Sequence, residues 1–100
     1  MKVFELKDEE NRTFAFEINN LLVSRRWVVG IIQKLKGTEI IKKPKLFSFQ
    51  NQDEFCEFKY KDKLFVVEEP FGDNSRYWIG PKPSVYCPEI DLIIEHFERI

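Results

Sequence analysis

Residues 54–69, "EFCEFKYKDKLFVVEE", restrict the possible folds of this chain more than any other stretch. Two runs rich in aromatic and β-branched residues meet across Lys61-Asp62, and so short a connection between strands is closed by an antiparallel hairpin. In the first arm Phe58 and Tyr60 alternate with Glu57 and Lys59, so one face is polar. In the second arm Leu64 and Val66 take one face and Phe65 and Val67 the other, which predicts an interior strand covered on both sides. A sheet with a covered interior strand needs further strands beside it and helices to pack on it.

The rest of the chain supplies them. "KVFELK" and "RTFAFEI" place Phe4 with Leu6, and Phe14 with Phe16 and Ile18, at period two around "DEEN", which predicts an N-terminal hairpin. The period then changes to that of a helix. From Asn20 as N-cap, "LLVSRRWVVGIIQKLK" puts Leu21, Ser24, Val28, Ile31 and Leu35 on one face, with Gly37 as the stop. Its wide apolar surface predicts packing between a sheet and something else. "TEIIKK", "KLFSFQ" and "RYWIG" read as further strands, and Pro88, Glu89 and Asp91 open a second helix with Ile90, Ile93, Ile94, Phe97 and Ile100 as its apolar face. The expectation is a single α+β domain over residues 1–100, with a mainly antiparallel sheet of about five to six strands, one long helix after the N-terminal hairpin and a C-terminal helix.

One hundred residues suffice for one core, and fifteen aromatic residues carry much of its burial. The net charge of −1 excludes a globally basic surface, so neither nucleic acid nor an anionic membrane is expected as a partner. Seven cations against Glu39 nevertheless give residues 20–52 a charge of +6. Cys56 lies in an apolar run and Cys87 precedes a proline, which predicts two free thiols in a reducing compartment. No apolar run reaches signal-peptide or membrane-spanning length, so the expected location is cytoplasmic.

Little in the sequence supports catalysis. The one histidine, His96, stands beside the apolar face of the last helix, and a solvent-facing position is expected for it. His96, Cys56 and Cys87 have no metal-ligand spacing, the glycines are too scattered for a phosphate cradle, and no metal or cofactor is expected. A carboxylate pair among Glu68, Glu69 and Asp73 is the weakest of the readings. Phe58 and Tyr60 beside lysines faintly resemble an RNA-binding sheet, but the acids around them favour a core role.

The segment "EEPFGDNSRYWIGPKP", residues 68–83, stands out. If "RYWI" is extended, Tyr77 and Ile79 take one face and Arg76 and Trp78 the other, leaving Trp78 away from the main core as a candidate contact with another protein. In the competing arrangement Arg76 pairs with Glu68 or Glu69 and Trp78 packs under the terminal helix. A small acidic-leaning α+β chain with no catalytic set and the block "EEPFGDNSRYWIGP" resembles the small bacterial immunity proteins that accompany toxin domains, including those of contact-dependent growth inhibition systems. The resemblance is one of overall plan and assigns no residue. It implies tight binding to a cognate protein toxin, often a nuclease, with its active site or substrate path blocked. A cluster of Asp53, Glu54, Glu57, Glu68, Glu69 and Asp73 would then imitate a phosphate backbone, with Arg76 and Trp78 supplying affinity, in a monomer or weak homodimer. The alternative is a small ligand- or RNA-binding sheet protein using exposed aromatics and the basic segment 25–45.

Overall fold

The computed structural model describes residues 1–42, 54–69 and 75–100. Strands β1 (Phe4–Lys7) and β2 (Thr13–Asn19) are followed by helix α1 (Arg25–Gln33). Strands β3 (Thr38–Lys42), β4 (Glu54–Tyr60), β5 (Lys63–Glu68) and β6 (Arg76–Pro81) come next, and helix α2 (Ile90–Glu98) ends the order. The strands form one sheet in the order β1-β2-β6-β5-β4-β3, with antiparallel pairing throughout. The α+β class and the antiparallel sheet agree with the sequence reading. The expected strand "KLFSFQ" lies outside the described residues.

The central hairpin forms as its sequence demands. Lys61 and Asp62 both adopt left-handed backbone, with φ of 50° and 62°, the geometry that matches a two-residue turn to the twist of its strands. It fixes the register Tyr60 to Lys63, Phe58 to Phe65 and Cys56 to Val67. A bulge between Glu54 and Cys56 then turns both Phe55 and Cys56 into the core.

Both helices lie on one face of this sheet. The core joins Phe16, Ile18, Phe58, Phe65, Val67, Tyr77 and Ile79 from the strands to Val28, Val29, Ile31 and Ile32 of α1 and Ile90, Ile93, Ile94 and Phe97 of α2. Phe58 and Tyr60 are therefore core aromatics, as their acidic surroundings suggest. Phe97 meets Phe16 edge-on with centroids 5.2 Å apart, joining α2 to β2. The Tyr77 hydroxyl donates to the Val23 carbonyl at 2.7 Å, tying β6 to the approach to α1. Burial, with the negative charge of Glu69 second, raises the pKa of that phenol.

Helix α1 is shorter than its apolar pattern predicts. Ser24, not Asn20, is the N-cap, and its hydroxyl accepts the Trp27 backbone N–H at 3.1 Å. Asn20 instead continues from β2, its N–H donating to the Ser75 carbonyl, and residues 20–23 close a turn through the bond from Val23 N–H to Asn20 O. Leu22, third in that turn, has φ of 64°, a conformation that costs a side chain with a Cβ about 1–2 kcal/mol. Leu21 is consequently exposed and lies on no helical face. At the other end the helix closes on Lys34, and Gly37, at φ 95°, makes the reversal into β3.

Two expectations for α2 also change. Ile100 lies past the end of the helix and is exposed, while Ile90, Ile93, Ile94 and Phe97 are buried as expected. His96 is half-buried, not fully solvent-facing. Its Nε2 lies 2.6 Å from the Ile31 carbonyl, which also accepts the Lys34 N–H, so the ring links α2 to the last turn of α1.

Among the described residues both cysteines are free and buried. Burial, then the charge of Glu57, pushes the Cys56 thiol up to about 12. At pH 8 only about one in ten thousand Cys56 thiols is then ionised. Iodoacetamide is expected to label native Cys56 about a thousandfold more slowly than a free cysteine, and at the ordinary rate in urea. Intact-mass time courses check this, and rapid native labelling would contradict the burial.

Candidate functional site

The face of the sheet opposite the helices is built by strand alternation. In β6, Tyr77 and Ile79 enter the core, so Arg76, Trp78 and Gly80 point the other way. Register then supplies their neighbours: Trp78 lies between Glu17 of β2 and Glu68 of β5, and Gly80 is opposite Val66. Farther out, Phe4 pairs with Glu17 and Leu6 with Ala15. Phe4 and Leu6 thus share a face, as expected, but the one opposite to Phe16 and Ile18. Ala15 and Val66 are buried on this side, outside the main core.

Trp78 is seated closely here. A Cβ placed on Gly80 would come within 2.5 Å of the indole Cη2 and 2.8 Å of the Ala15 Cβ, so the indole occupies space that only glycine leaves open. Arg76 is held from two directions, by Glu17 at 3.2 Å and by the Phe4 ring, whose centroid is 3.7 Å from its guanidinium carbon. The Arg76 and Trp78 placement expected from "RYWI" is therefore present. The competing arrangement is not: Trp78 is on the side of the sheet away from α2, and among the described residues Arg76 pairs with Glu17, not with Glu68 or Glu69.

The acidic residues are divided. Glu68 and Glu69 point to opposite sides, as adjacent strand residues must. Glu69 accepts from Arg25 at 2.7 Å and from Asn20, beside the Phe55 ring that Arg25 covers. It is a brace between α1 and the end of β5, and the expectation that it joins the acidic cluster is corrected. Glu54 and Glu57 do lie together, with Lys82 Nζ between them at 2.8 and 3.1 Å and Lys42 donating to the Glu54 carbonyl. A carboxyl–carboxyl hydrogen bond with Glu54, and then the Lys82 ammonium, hold Glu57 below its ordinary pKa. The hydrogen bonds to Glu54 and Glu57 raise Lys82. Asp53 and Asp73 lie outside the described residues.

Among the described residues the charges on this face are patterned. Glu17, Glu54, Glu57 and Glu68 alternate with Arg76, Lys82 and Lys42 around Trp78 and Phe4. Sequence reasoning singled out Trp78 and Arg76 but missed Phe4, Glu17, Gly80 and Lys82. Glu17 carried a signal, being the charged residue inside "FAFEI" that faces away from Phe16 and Ile18. Its partner, however, is 59 positions away, and only sheet order brings the two together.

Among the described residues no group of three or more His, Cys, Asp or Glu side chains is placed to hold a metal ion, and no helix is long and apolar enough to cross a membrane. No protein-family model matches the chain, and neither a curated protein nor a solved structure matches it.

Proposed function

We propose that this chain is a non-enzymatic protein-binding module, an immunity protein that neutralises a cognate bacterial toxin by covering its active site. The observation that supports this best is the seating of Trp78 on Gly80 beside the braced Arg76, on the side of the sheet away from both helices. Trp and Arg dominate the energetics of protein contacts because they bring large area and a polar handle. Side chains already fixed in place lose little freedom on binding. Glu54, Glu57 and Glu68 give the same face a charged border that steers a basic partner and sets its orientation.

Co-purification from the cells that encode the chain, followed by assay of the captured toxin, tests the reading. The chain is expected to inhibit that toxin stoichiometrically. Trp78→Ala is expected to weaken binding at least about tenfold, and charge reversal at Glu54, Glu57 and Glu68 to flatten its salt dependence. Affinity unmoved by Trp78→Ala would remove this face from the mechanism. Salt-sensitive binding of mixed oligonucleotides in place of a protein would point to the RNA-binding alternative.

A further inference from the structure

The outer surface of the helical layer carries features that folding alone does not call for. Leu21 and Leu22 are 79% and 87% exposed, and Leu22 holds the left-handed conformation usually left to glycine or asparagine. Trp27, in the first turn of α1, is 49% exposed. One turn on, Gly30 interrupts the helix where a Cβ would meet nothing within 4 Å among the described residues, so none of them requires a glycine there. Glycine inside a helix is otherwise unfavourable, and its use is to let another backbone come close. The outward face of α2 adds Leu92, which is 40% exposed.

Charge says what fits this surface. The exposed charges on and just beyond α1 are Arg26, Lys34 and Lys36, with no acidic residue from 18 to 38. Those on α2 include Asp91, Glu95 and Glu98, with Arg99 bonded back to Glu95. One surface therefore carries a basic helix and an acidic helix side by side, His96 linking them. A two-fold axis brings a surface onto itself with residue i meeting j and j meeting i, so a surface of one sign repels its copy while a divided one attracts it.

We propose that the outward faces of α1 and α2 form a self-complementary surface on which a second copy of this chain docks about a two-fold axis, α1 of each copy lying on α2 of the other. Trp27, Leu92 and the Leu21-Leu22 turn supply apolar contact, and Gly30 marks the close approach of the helices. The surface lies on the opposite side of the sheet from Trp78, so the dimer leaves that face open.

Sedimentation velocity of the full chain over roughly three decades of concentration tests this. The expected result is a dimer at low salt, with a dissociation constant at least about tenfold higher in about 1 M NaCl. Gly30→Leu fills open space with a better helix former, so its melting temperature is expected to hold or rise while the dimer is lost. Reversing Arg26, Lys34 and Lys36 to Glu, or Asp91, Glu95 and Glu98 to Lys, is expected to give monomers that recombine as a heterodimer when mixed. A monomer at all concentrations overturns the proposal, as does a dimer indifferent to Gly30→Leu or reversed variants that fail to recombine. Binding to anionic vesicles or to an acidic amphipathic peptide without self-association would overturn it in favour of that partner.

Discussion

Phe97→Ala is expected to lower the unfolding free energy by about 3–5 kcal/mol, the range for truncating a fully buried phenylalanine. Phe97 is 0% exposed and meets Phe16 edge-on at 5.2 Å, so truncation removes both its apolar burial and the aromatic contact that attaches α2 to β2. Small domains have about 5–15 kcal/mol in total, and the loss is therefore a large fraction of it. Urea unfolding followed by circular dichroism measures the change, with the denaturant slope expected to stay constant. Leu92→Ala on the outward side of the same helix is the control, expected to cost well under about 1 kcal/mol in the monomer. If the two variants were equally stable, the orientation of α2 on the sheet would be wrong.

The second large effect is expected at Gly80. Gly80→Ala puts a methyl group within 2.5 Å of the Trp78 indole and 2.8 Å of the Ala15 Cβ. The indole must leave its seat or the strands must shift, and overpacking of this kind costs about 1–3 kcal/mol. A displaced indole also spoils the face proposed to meet the partner, so this substitution is expected to reduce both stability and partner affinity. Adding Trp78→Ala removes the nearer clash and is expected to recover part of the stability while leaving affinity low. The Trp78 fluorescence maximum reports the displacement directly in a Trp27→Phe background. Stability equal to wild type with an unmoved emission spectrum would show that the seat is not filled.

The two proposed surfaces use opposite sides of one sheet and are separable by experiment. Gly30→Leu acts on self-association and Trp78→Ala on the partner. Arg25 belongs to neither surface. Its bonds to Glu69 and its position over Phe55 brace α1 against the ends of β4 and β5.

Much of this architecture is legible in the sequence because local chemistry decides it. Lys61-Asp62 between two apolar runs leaves one way to close, and the alternation of "RYWI" separates Trp78 and Arg76 from Tyr77 and Ile79 whatever lies beside them. The apolar spacing of Ile90, Ile93, Ile94 and Phe97 is enough to orient α2. The start of α1 was not legible in the same way. The stretch from Leu21 has helical periodicity, but the turn at residues 20–23 and the Ser24 cap are set by contacts with Ser75 and Tyr77, far along the chain. That Glu68 and Glu69 point to opposite sides of a strand is also legible, but the partners they meet there, Arg25 for Glu69 and Trp78 for Glu68, are not. The pairing of Arg76 with Glu17 and the seat of Trp78 on Gly80 depended on sheet order, which periodicity does not encode. The sequence by itself determined the elements and which side chains share a face, through backbone geometry and turn chemistry. Only the tertiary structure decided which faces became neighbours, because strand order and register bring together residues that no local pattern connects.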